Sequence, residues 1–193
     1  AEGDGEAAHR LAALIAEHDV AYDPTLVVLD CMGHLTEPRV VDAPEVGLVP
    51  DEVRAGWQER ADGRRAHWTA GDFDVSTRAF ATMRAFTTTA YRAGARFLVG
   101  SDAPNPFVVP GASLHRELEL LVEAGLPPSE VLRLATQGNA TALGAQDDLG
   151  TLMPGKKADL VLLEADPLED IRNTRRIRLI MQDGVVVAEG VAA

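Results

Sequence analysis

The chain has 193 residues, a formal net charge of −12, 46% apolar and 25% charged residues. That balance is ordinary for a globular protein with a real core, and the acidic surplus leaves no basic footprint for nucleic acid. No apolar run approaches the roughly 20 residues a membrane span needs. The single cysteine, Cys31, excludes an intrachain disulfide.

In chain order, the first element is a helix near Glu6 to His18. Leu11, Leu14 and Ile15 stand at i, i+3, i+4, with Ala7 and Ala8 completing an apolar stripe. Val20 to Leu29 is β-rich and reads as a strand whose ladder lies to one side of Pro24. Asp30 to Pro50 carries three prolines and two glycines and reads as one long loop. Its Cys31 and His34 form a C-x-x-H pair with no second pair at metal-site spacing. Asp51 to Trp68 reads as a polar helix capped by Asp51. Asp74 to Arg92 is a stronger helix, with Phe80, Met83, Phe86, Ala90 and Tyr91 on one face and Gly94 just past its end.

Ala95 to Ser101 is an apolar strand that ends in Gly100-Ser101-Asp102-Ala103-Pro104. A carboxylate at a strand tip serves equally as a loop cap, a metal ligand or a catalytic acid. Ser113 is placed to cap the next helix, striped by Leu114, Leu118, Leu121 and Val122 and ended by Gly125. Pro127 to Glu130 starts a further helix, and Asn139 to Leu143 continues to Gly144. Helices alternating with strands predict an α/β fold with a parallel sheet. After Gly144 the helical period is lost. A strand at Ala158–Leu163 precedes two strands around Asp183-Gly184, a type I′ hairpin signal.

Several segments together resemble the C-terminal part of the amidohydrolase superfamily, nearest its imidazolonepropionase-like group. They are Gly100-Ser101-Asp102-Ala103, Gly111-Ala112-Ser113-Leu114-His115, Ala135-Thr136 with Asn139-Ala140, and Pro154-Gly155-Lys156-Lys157-Ala158-Asp159-Leu160-Val161. Asp166-Pro167-Leu168 and the Asp183-Gly184 hairpin extend the likeness to the C-terminus, and Tyr22-Asp23-Pro24-Thr25-Leu26 extends it toward the N-terminus. The resemblance implies the C-terminal portion of a (β/α)8 TIM-type barrel in residues 1–145, holding the last two strands and their helices. Residues 146–193 become part of a small β-sandwich domain.

What else it implies concerns chemistry. Asp102 matches the aspartate after the eighth barrel strand, a catalytic acid/base and metal ligand. His115 matches a histidine placed for substrate contact, beside the plainer reading of a helix residue packed under its loop. Asn139 is expected to hydrogen-bond between helices. The implied cofactor is a divalent metal, zinc expected, as one or two ions that lower the pKa of bound water. The implied reaction is hydrolysis of carbon–nitrogen bonds other than peptide bonds in a small-molecule substrate, such as a cyclic amide or a dipeptide-like compound.

The family's His-x-His pair and its other ligands are missing from these 193 residues. The chain therefore reads as an incomplete C-terminal piece, inactive alone, that forms a homo-oligomer or associates with its missing N-terminal portion. The alternative is a non-catalytic remnant or assembly subunit. With no signal peptide at its start, cytoplasmic residence is the expectation.

Overall fold

The computed structural model describes residues 2–35 and 37–192, with side chains described from Gly5 to Gly190 and Thr36 left out. It is a mixed α/β structure with a two-stranded parallel sheet and a three-stranded antiparallel sheet.

Helix α1 spans Glu2–Glu17 and packs on α5, Ala70–Arg92. The buried contact is Ala12, flanked by the half-buried Ala8, Ile15 and Ala16. The anticipated leucine stripe faces outward instead, with Leu11 and Leu14 each 51% exposed. A helix whose one fully buried residue is alanine can approach its neighbour closely, and that geometry leaves the leucines off the contact.

Strand β1 is only Ala21–Tyr22, paired in parallel with β2, Arg96–Phe97. The Leu98 amide adds one more bond to the Tyr22 carbonyl, 2.9 Å. Both strands are far shorter than the sequence suggests. Pro24 removes a ladder donor, and Thr25 takes a left-handed conformation, φ 40. Chain direction changes there, and Leu26–Gly33 becomes helix α2 rather than strand. A short buried run of Leu and Val suits either element, so periodicity does not separate them.

The expected loop Asp30–Pro50 is mostly ordered helix. It holds the end of α2, then α3 at Pro38–Val41 and a 3₁₀ turn at Pro44–Leu48. Pro38 and Pro44 each sit at a helix start, where the missing N–H costs nothing. Helix α4 is Asp51–His67, but Pro50 occupies the cap and Asp51 pairs with Arg54 at 2.6 Å. Helix α5 starts four residues before the expected Asp74, through a capping box in which Thr69 and Asp72 satisfy each other's amides.

The aromatic stripe of α5 does enter the core. Phe86 and Phe97 meet Tyr22 edge-on at 5.6 and 5.2 Å, and Tyr91 meets Phe97 at 6.1 Å. Helix α6, Ala112–Glu123, begins at Gly111 rather than at a Ser113 cap. Ser113 lies inside the helix, and its hydroxyl accepts from the Val109 amide at 2.7 Å. Helix α7, Pro128–Arg133, runs through a π-turn at Leu134–Gly138 into α8, Asn139–Ala142.

The C-terminal sheet has the order β3-β4-β5, formed by Leu160–Leu163, Arg176–Gln182 and Val185–Ala192. A 3₁₀ turn at Ile171–Arg175 precedes β4 and packs on α6. The Asp183-Gly184 hairpin forms as expected, with φ 48 and φ 78 at its two central residues. No helix among the described residues is long and apolar enough to cross a membrane.

Candidate active site

Because β1 and β2 are parallel, their C-terminal ends lie together. Each end leads to an exposed aspartate followed closely by proline, Asp23-Pro24 and Asp102-Ala103-Pro104. Asp102 has φ 50, a left-handed conformation that aspartate tolerates better than most residues. Asn105 holds it there, donating its side-chain amide to the Asp102 carbonyl at 2.8 Å and to Oδ2 at 2.9 Å.

The tip of β2 is fixed from two sides. Asn139 Oδ1 accepts from the Val99 amide at 3.0 Å, and its Nδ2 donates to the Val99 carbonyl at 2.9 Å. The side-chain amide thus supplies the pairing a neighbouring strand would supply. Asn139 therefore clamps a strand end, where a contact between helices was expected. On the other side, Asp23 Oδ1 accepts from the Gly100 amide at 3.1 Å. Partial desolvation in this crevice raises the Asp23 carboxyl above its ordinary value. The Gly100 and Thr25 amides pull the other way, and the charge of Asp102 adds to the rise.

No sequence motif by itself marks Asp23. The signal that finds it is internal: two strands that both end in aspartate just before a proline.

Glu117 supports the same end of the molecule from beneath. It is fully buried and accepts from the Leu26 and Val27 amides at 3.0 and 2.7 Å, so a carboxylate on α6 receives the N-terminus of α2. Burial pushes its carboxyl up to about 7, against the pull of those two amides. The proton is then held in the folded state from the unfolded value upward. The associated stability is complete below about pH 4.5 and is lost as pH rises through 7. It amounts to about 3 kcal/mol over that window. Glutamine matches the neutral carboxyl, so urea midpoints of wild type and Glu117→Gln should lie closest in acid and separate as pH rises through 7, where only the wild type loses stability. Parallel pH profiles would refute this role.

His115 is hydrogen-bonded to the C-terminal part of the chain. Its Nδ1 lies 3.0 Å from Thr174 Oγ1 in the 3₁₀ turn before β4. Burial and then the Arg175 charge lower its pKa, favouring the neutral ring, while Glu119 and Glu45 oppose this. Cys31 and His34 face different partners: the thiol points at the Phe107 carbonyl, 3.7 Å, and His34 Nδ1 pairs with Asp30. Burial pushes the Cys31 thiol up to about 12, which keeps it protonated.

A catalytic zinc site needs three protein ligands and a structural one four. Among the described residues no group of three or more His, Cys, Asp or Glu side chains is placed to hold a metal ion. Asp102 and Asp23 do not by themselves make such a centre.

The sequence profile of the Amidohydrolase family matches residues 8–187. The chain belongs to that family. It is 32% identical over 95 residues to adenine deaminase 3 of Rhizobium meliloti, covering 48% of this chain and 16% of the deaminase. It is 32% identical over 89 residues to an imidazolonepropionase of Shouchella clausii, covering 42% of this chain and 20% of that protein. In three dimensions it overlays a bottromycin amidohydrolase with a TM-score of 0.69 and 27% identity, across 88% of this chain and 37% of that one. The matched region thus spans about a fifth or less of the length of these curated relatives. Members of this superfamily typically use divalent metals.

Proposed function

We propose that this chain forms the C-terminal portion of a metal-dependent hydrolase of carbon–nitrogen bonds other than peptide bonds. The observation that carries the reading is the parallel pair β1 and β2, which presents Asp102 at its C-terminal end within a match spanning residues 8–187. In a (β/α)8 barrel that end is where active-site groups gather. Here β1 and β2 stand as its seventh and eighth strands, residues 1–145 as barrel and 146–193 as part of a β-sandwich.

Asp102 accepts a proton from the attacking water and returns it to the departing nitrogen, a task suited to an exposed carboxylate held in one orientation. It would also supply one ligand to a divalent metal centre, with zinc the expected ion. The other ligands come from outside these residues, through a longer polypeptide or an associated chain. His115, in the first turn of α6, is assigned to substrate contact. The substrate is a small molecule of cyclic-amide or dipeptide-like type, and the setting is cytoplasmic. The relatives named adenine deaminase and imidazolonepropionase support a C–N bond as the target.

A second reading is a non-catalytic remnant or assembly subunit. One observation favours it: no third metal-ligating side chain among the described residues joins the two aspartates. The two readings separate in one assay. The complete polypeptide that contains this chain should hydrolyse N-acyl amino acids, dipeptide-like amides or cyclic amides, and lose that activity to a chelator. The isolated 193 residues should be inactive. Absence of chelator-sensitive hydrolysis across all three substrate classes would leave the remnant reading standing. So would a reading frame that adds no residues.

A further inference from the structure

We infer that Asp23 is the positioning residue for Asp102, acting through Gly100. The inference rests on the reading of Asp102 as the acid/base, but its geometry stands without it. Gly100 is not in the left-handed region, so its backbone does not demand glycine. Its lack of a side chain answers a different need. A Cβ built there would stand 2.5 Å from Asp23 Oδ2, closer than any real Cβ contact. The other oxygen of the same carboxylate receives the Gly100 amide at 3.1 Å. One carboxylate therefore both fills the space a side chain would occupy and binds the backbone beside it.

The consequence reaches Asp102 along two peptide bonds. Val99 is clamped by Asn139, and Gly100 by Asp23, so the backbone is held on both sides of the strand tip. Only Ser101 separates that grip from the left-handed Asp102. Asp23 is itself held at its root. Pro24 is buried, and the segment immediately after it is bound by buried Glu117 through the Leu26 and Val27 amides. The carboxylate at the end of β1 thus sets the place and aim of the carboxylate at the end of β2. The charge of Asp102 bears on Asp23, as it must if the two are neighbours.

The test reads side-chain position, not turnover. In the 193-residue chain, ¹⁵N spectra report Asp102 through the Asn105 side-chain amide bonded to its Oδ2. The Asn139 side-chain amide reports the neighbouring clamp. Asp23→Ala should shift or broaden the Asn105 signals and leave those of Asn139 in place. Gly100 amide exchange should speed up about tenfold to a hundredfold, the range for losing a bond to a charged acceptor.

Asp23→Asn keeps a carbonyl acceptor and should restore the wild-type Asn105 signals. Gly100→Ala should reproduce Asp23→Ala by displacing the carboxylate, and should add nothing in the Asp23→Ala background. If Asp23→Ala fails to fold, Gly100→Ala alone decides the question. Unchanged Asn105 signals in Gly100→Ala, or in a folded Asp23→Ala, would overturn the inference. Because no metal or substrate is involved, a positive result beside a failed hydrolysis assay refutes the proposed function and leaves the positioning intact.

Discussion

Replacing Asp30 by alanine should destabilise the protein by about 3 kcal/mol, the low end of the range for breaking a buried ion pair. Asp30 is 4% exposed and lies at the meeting of three helices. Arg39 of α3 donates to its two oxygens at 3.0 and 3.2 Å. Arg116 of α6 reaches Oδ2 at 3.3 Å, and His34 reaches Oδ1 at 3.0 Å. Alanine removes the one anion all three share. The low end applies because the Arg39 side chain is 46% exposed and can rehydrate, whereas Arg116 keeps Glu119 and Glu123.

The effect also has a pH signature. Burial alone would raise the Asp30 carboxyl, but Arg39, Arg116 and His34 together hold it below its ordinary value. Its stabilisation is present above the unfolded value, near pH 4, and is lost as pH falls through the lower folded value. Chemical denaturation of wild type and Asp30→Ala at pH 7 and pH 3 should show a gap that narrows in acid. A gap of the same size at both values would rule out the ionic origin.

The largest effect on activity is expected at Asp102. In the hydrolytically active polypeptide, Asp102→Asn should lower kcat by about 10²- to 10⁴-fold, the usual contribution of a positioned acid/base. Asparagine accepts the left-handed conformation as readily as aspartate, and it can keep an acceptor for Asn105. It cannot take a proton. Stability should therefore stay within about 0.5 kcal/mol of wild type, as for an exposed site outside the core. Steady-state kinetics beside thermal melts would separate the two quantities. An active Asp102→Asn protein would remove this residue from the chemistry.

Some elements were legible in the sequence because one local rule decides them. The Asp183-Gly184 hairpin needs positive φ at two adjacent residues, and few dipeptides supply that. The core face of α5 shows in its helical period. Other elements are decided at long range. Leu26–Leu29 is helical because a bend at Pro24-Thr25 precedes it and a glutamate 91 positions away receives its N-terminus. No window around residue 26 contains that partner. The same holds for Asn139, whose amide finds a strand 40 residues earlier.

Of the candidate site, the position of Asp102 just past a strand end was legible from its motif. Asp23 was not, because its role depends on the parallel pairing that sets two strand ends side by side. His115 reads from the sequence as either a substrate contact or a packed helix residue, and its bond to Thr174 depends on how the C-terminal turn packs on α6, which no local window contains.

The Asn139 clamp also bears on how the protein is made. Synthesis proceeds from the N-terminus, so the tip of β2 leaves the ribosome before the amide that completes it. The gap is 40 residues, or roughly 2–8 s at ordinary elongation rates. Throughout that interval Val99 has neither bond from Asn139. The nascent strand end waits with open backbone groups, and the loop bearing Asp102 takes its final form only after α8 has been translated.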